Sequence, residues 1–78
     1  MQEKSNKAIV WSQDPCAWCD AAINFLVARG YDVDVRKVGD GYTKKELIDA
    51  VPGARSVPQV FINDKYIGGF NELKDYLS

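Results

Sequence analysis

Ala8-Ile9-Val10-Trp11-Ser12-Gln13-Asp14-Pro15-Cys16-Ala17-Trp18-Cys19 is the stretch on which the fold turns. Its first four residues form a short apolar run of strand length, and Ser12 to Pro15 make a turn-like exit, which together predict a buried strand. Beyond the turn, Cys19, Ala22, Ile23, Leu26 and Val27 recur at helical spacing while Asp20, Asn24 and Arg29 fall elsewhere on the wheel. This predicts an amphipathic helix that Gly30 ends. Asp14 is expected to cap it and Pro15 to fill the first helical position, where a missing N–H costs nothing. Cys16 then lies in the first turn.

Working outward, Tyr31-Asp32-Val33-Asp34-Val35-Arg36 alternates with period two and predicts a second strand with one buried face. Thr43 and Glu46 have the spacing of a capping box ahead of Leu47, Ile48 and Val51, and Pro52-Gly53 stops that short helix. Gln59 to Ile62 and Lys65 to Ile67 flank Asn63-Asp64, a pair that tolerates positive φ and so predicts a tight hairpin. Gly68-Gly69 breaks the pattern, Asn71 is expected to cap, and Leu73, Tyr76 and Leu77 line the apolar face of a last helix. The order β-α-β-α-β-β-α implies an α/β fold with a mixed four-stranded sheet flanked by helices, since a strand–helix–strand crossover gives a parallel pair and a hairpin an antiparallel one.

Seventy-eight residues of even composition, 46% of them apolar, predict a single domain over 1–78. The net charge of −1, with the basic residues scattered, gives no electrostatic footprint for nucleic acid. No run reaches the roughly 20 apolar residues of a membrane span, and the polar start at 1–7 lacks the apolar core of a signal peptide. The expected setting is therefore the cytoplasm. There are two cysteines, three residues apart, and no histidine. A close cysteine pair in a cytosolic chain points to redox or metal chemistry, but two thiols fall short of the four ligands of a tetrahedral zinc site. The plainer alternative is a pair of small core side chains.

Thiol–disulfide exchange requires a thiolate, and a free cysteine of pKa about 8.5 is only about 3% ionised at pH 7. A helix N-terminus supplies unpaired N–H groups and the positive end of the macrodipole, which lower that pKa. Cys16 is placed to benefit and is the expected nucleophile. Cys19, on the face of Ala22 and Ile23, is the expected buried partner that resolves a mixed disulfide.

Cys16-Ala17-Trp18-Cys19, Ser56-Val57-Pro58 and Ile67-Gly68-Gly69-Phe70-Asn71-Glu72, in that order and separation, resemble the glutaredoxins along nearly the whole chain, and among them the compact bacterial and phage forms. The resemblance implies the thioredoxin fold and a glutathione-dependent disulfide oxidoreductase that acts through Cys16 and Cys19, with glutathione as co-substrate and no permanently bound cofactor or metal. It implies that Pro58 is cis and faces the cysteines, leaving the backbone of Val57 to pair with glutathione. Asn71 and Glu72 match the residues that receive the γ-glutamyl carboxylate, with Gly69 and Phe70 beside them in the same glutathione site, a reading that suits a helix N-terminus reached through a Gly-Gly step. Trp18 stands where the family usually has tyrosine and is expected to wall the same site. Gln13 occupies a place that often carries a cation, and Arg55 is the nearest candidate to replace that charge. The implied partners are disulfide-bearing or glutathionylated proteins, ribonucleotide reductase among them, acting on a monomer. Two rivals stay open, a donor reduced by thioredoxin reductase and a [2Fe–2S] carrier held by two subunits through Cys16 and bound glutathione.

Overall fold

The computed structural model of the protein describes residues 6–78, so most of the polar start read at 1–7 lies outside the described residues. Eight elements follow in order: β1 (Lys7–Ser12), α1 (Ala17–Ala28), β2 (Asp32–Val38), β3 (Gly41–Tyr42), α2 (Lys44–Ala50), β4 (Gln59–Ile62), β5 (Lys65–Gly68) and α3 (Phe70–Leu77). The sheet runs β3-β2-β1-β4-β5. β1 pairs parallel with β2, Val10 opposite Val35, and antiparallel with β4, Val10 opposite Val60. The α/β class and the mixed sheet are as the sequence predicts.

The expected count of four strands is corrected to five. β3 is two residues long and pairs parallel with the end of β2, Lys37 opposite Gly41 and Val38 opposite Tyr42. Two residues carry no periodicity, so no pattern announces them. A local turn and a tertiary contact hold them: the Gly39 N–H donates to the Tyr42 carbonyl at 2.8 Å, and the Tyr42 ring meets the Trp11 ring edge-on at 5.5 Å.

Pleating divides β1 between two faces. Ala8 and Val10 join Ala22 and Leu26 of α1, Val60 and Ile62 of β4, and Leu73 of α3 in one buried cluster. Leu26 and Leu73 are fully enclosed, and burial of such a side chain contributes about 1.5–3 kcal/mol. Trp11, out of phase with Val10, is buried on the opposite face. The Thr43–Glu46 capping box forms in full at the start of α2, and Asn63 and Asp64 take φ of 49° and 69° in the hairpin. No helix among the described residues is long and apolar enough to cross a membrane.

A candidate thiol-disulfide site

The cysteines sit where β1 hands over to α1. Cys16 is the N-cap, with φ −156° and ψ 100°, and its Sγ accepts a hydrogen bond from the Cys19 N–H at 3.1 Å. The helix therefore begins at Ala17, and the expectation that Asp14 caps it from Pro15 onward is corrected. The physical reason is that the sulfur itself takes the capping N–H, while the Asp14 carboxylate is drawn the other way to Lys37 Nζ, at 3.0 and 3.2 Å. Cys19 is fully buried, Cys16 is half-buried, and their sulfurs are joined in a disulfide across Cα atoms 5.2 Å apart. The accessible sulfur is the one at the helix end, and the enclosed sulfur can reach only its neighbour.

Opposite Cys16 stands the Val57–Pro58 turn, whose peptide bond is cis as expected, and the Val57 carbonyl lies 4.0 Å from Cys16 Sγ. A groove of about 330 Å³ opens beside it. Trp18 walls one side from α1, Val57 and Pro58 form the floor, and Gly69, Phe70, Asn71 and Glu72 close it from the start of α3. The structure thus brings together seven of the nine residues assigned to glutathione. Gln13, exposed in the loop after β1, and Arg55, exposed before Ser56, are not among the lining residues.

At α3 the cap is also corrected. Gly69 is the N-cap and Asn71 is already the second helical residue, so Asn71 caps nothing. Glu72, one turn in, reaches back to accept the Gly69 N–H at 2.9 Å. The Gly-Gly step has a steric reason. Gly68 holds φ +124°, and a Cβ there would stand 3.0 Å from Cβ and Cγ of Glu72. A Cβ on Gly69 would meet Glu72 Oε1 at 3.2 Å and the Pro58 carbonyl at 3.7 Å, inside the groove wall.

Trp18 is 64% exposed, yet its ring lies 5.6 Å from that of Phe70, which in turn meets Phe25 edge-on at 5.8 Å. The wall is thus an aromatic stack anchored in the core side of α1, not a free side chain. The cation near the loop is Lys37, which the sequence reading missed. The parallel β1–β2 register sets it opposite Ser12, and the hydrogen bond to Asp14, reinforced by that carboxylate's charge and by Asp40 and Asp20, raises its pKa above the ordinary lysine value. Strand pairing is the only signal that could have found it.

A hollow of about 360 Å³ lies at the start of β1 between Lys7, Ile9 and Phe61, and it contains no thiol. Among the described residues no group of three or more His, Cys, Asp or Glu is placed to hold a metal ion.

A glutaredoxin family model matches residues 8–67, which hold both cysteines and the Val57–Pro58 turn. The chain belongs to the glutaredoxin family. It is 32% identical over 74 residues to Glutaredoxin-C4 of Arabidopsis thaliana, covering 91% of this chain and 55% of that protein, so the chain spans little more than half that relative's length. Among solved structures, glutaredoxin 1 from Francisella tularensis, complexed with cacodylate, is similar with a TM-score of 0.78 and 25% identity over 94% of this chain and 93% of that one. The buckwheat glutaredoxin–glutathione complex is similar with a TM-score of 0.74 and 26% identity over 92% of this chain and 68% of that one. The fold is the thioredoxin fold of these glutaredoxins, and the stretch matched by the family model includes the Cys16–Cys19 disulfide.

Proposed function

We propose that this protein is a glutathione-dependent thiol–disulfide oxidoreductase that reduces protein–glutathione mixed disulfides and protein disulfides. The observation that carries the reading is the groove beside the half-buried Cys16, with the Val57 carbonyl 4.0 Å from its sulfur and the N-terminus of α3 at the far end. The backbone of Val57 suits an extended peptide and the α3 N-terminus suits a carboxylate, and glutathione has both features. That a buckwheat relative was solved with glutathione bound supports the same ligand.

In the proposed cycle the Cys16 thiolate attacks the sulfur of a glutathionylated protein. The old S–S bond breaks, the protein leaves as its thiolate and takes a proton, and a Cys16–glutathione disulfide forms. A second glutathione thiolate then attacks the glutathione sulfur, releasing oxidised glutathione and restoring Cys16. With a protein disulfide, Cys16 first forms a mixed disulfide with one substrate sulfur and releases the other as a thiol. Cys19 then attacks the Cys16 sulfur, releasing the second substrate thiol and giving the bonded pair seen here, which two glutathione molecules reduce, leaving as oxidised glutathione. The Cys19 N–H already reaches Cys16 Sγ in the disulfide, at 3.1 Å. The proposed setting is the reducing cytoplasm, with electron transport from glutathione to substrates that include ribonucleotide reductase, and a monomer as the working unit.

The test is turnover of a glutathionylated peptide with glutathione, glutathione reductase and NADPH. Sustained NADPH oxidation is the expected result. No turnover there, together with efficient reduction of the same protein by thioredoxin reductase, would move it to the donor class.

A further inference from the structure

The Val57–Pro58 turn sets the Val57 carbonyl 4.0 Å from Cys16 Sγ, and no backbone hydrogen bond from α1 or α3 reaches that turn among the described residues. Its tie comes from the residue that follows. Gln59 is 8% exposed, a polar side chain buried on the sheet face that Trp11 shares, since the two are opposite each other in the β1–β4 ladder. Its Nε2 donates to the Ser56 carbonyl at 2.9 Å, closing a ring around Val57 and Pro58. Its Oε1 accepts from the Tyr66 hydroxyl at 2.7 Å, and the Tyr66 ring rests on Phe61 at 5.4 Å. Both ends of the amide are used, so the side chain has one orientation, and a buried amide left without those partners would be unfavourable.

We propose that Gln59 is a positioning residue for the glutathione groove: anchored by Tyr66, its amide ties the Ser56 carbonyl so that Val57 presents its backbone to a peptide ligand at Cys16. The proposal rests on the glutathione reading above. Ser56 is exposed, so water replaces the lost bond when Gln59 is removed and folding survives. What is lost is the fixed placement of the turn.

Two substrates separate placement from a general structural role. One is a glutathionylated peptide, which needs the Val57 backbone; the other is a small aryl disulfide, which needs only the Cys16 thiolate. In Gln59→Leu, KM for the glutathionylated peptide rises roughly fivefold, the scale of one net hydrogen bond, while the pre-reduced protein attacks the aryl disulfide within about twofold of the wild-type rate. Tyr66→Phe, which keeps the ring on Phe61, gives a rise of the same sign and about twofold. An unchanged KM in both variants overturns the proposal, as does an equal loss of rate on both substrates. Failure of the glutathione reading itself looks different: the wild type then shows no preference for the glutathionylated peptide over the same peptide capped with cysteine.

Discussion

Replacing Gly68 and Gly69 one at a time by alanine separates a glycine that the fold needs from one that the groove needs. At φ +124°, Gly68 lies in a region that side chains rarely adopt, and its new Cβ would stand 3.0 Å from Cβ and Cγ of Glu72, atoms fixed to the first turn of α3. Backbone strain of this kind costs about 1–3 kcal/mol. Displacing a packed helix turn adds about 1 kcal/mol, for a total of about 2–4. A domain of this size has about 4–12 kcal/mol to lose, so Gly68→Ala is expected to lower Tm by about 10–30 °C. Gly69, at φ −87°, accepts a side chain without strain, and its nearest contact at 3.2 Å is Glu72 Oε1, the end of a flexible side chain that can give while keeping its bond to the Gly69 N–H. Gly69→Ala is expected to change stability by less than about 1 kcal/mol but to place a methyl group between Glu72 and Pro58, raising KM for glutathionylated substrate. Thermal unfolding of the oxidised proteins by circular dichroism, with turnover measured on the same samples, checks both. A Tm for Gly68→Ala within about 3 °C of the wild type would refute the steric argument.

Two further outcomes are expected. Trp18→Ala removes an exposed ring stacked on Phe70, so stability changes little while KM for glutathionylated substrate rises about three- to tenfold, the range of an aromatic contact; steady-state kinetics and a melting curve on one sample test this, and an unchanged KM would remove Trp18 from the site. The Lys37–Asp14 pair raises the lysine pKa, so its contribution to stability is present below about pH 10.5 and is lost as pH rises through the folded-state value. Denaturant unfolding of the wild type and Lys37→Met should therefore differ at pH 8 and converge in strong alkali, and a difference that grows with pH would contradict the sign.

Elements whose signal is local were legible in the sequence. The Thr43–Glu46 box, the Asn63-Asp64 hairpin and the helical spacing of Cys19, Ala22 and Leu26 each state their structure within a few residues, and the structure contains all three. Features that depend on what a distant strand brings alongside were not. β3 is held in part because Tyr42 meets Trp11, 31 positions earlier in the chain; Asp14 leaves its expected capping role because Lys37 arrives beside it through the β1–β2 register. At α3 the competition was local but close: Asn71 and Glu72 are both able to cap, and Glu72 wins because the helix starts one residue before Asn71, putting Glu72 at the position that reaches back. The groove followed the motifs, since Trp18, Val57, Pro58 and Gly69 to Glu72 all line it. Gln13 stands at a place where the family often carries a cation and Arg55 is the nearest candidate to replace that charge, and neither criterion says where a loop side chain points.

The account stands on the different roles of two sulfurs, one half-buried at a helix end and one enclosed. The most direct test is deglutathionylation of a peptide by Cys16→Ser and Cys19→Ser, assayed side by side with glutathione, glutathione reductase and NADPH. The account predicts no turnover above background for Cys16→Ser and retained turnover for Cys19→Ser, with glutathione held on Cys16 in the mass spectrum of the latter. Equal loss in both variants, or retained turnover in Cys16→Ser, would contradict it.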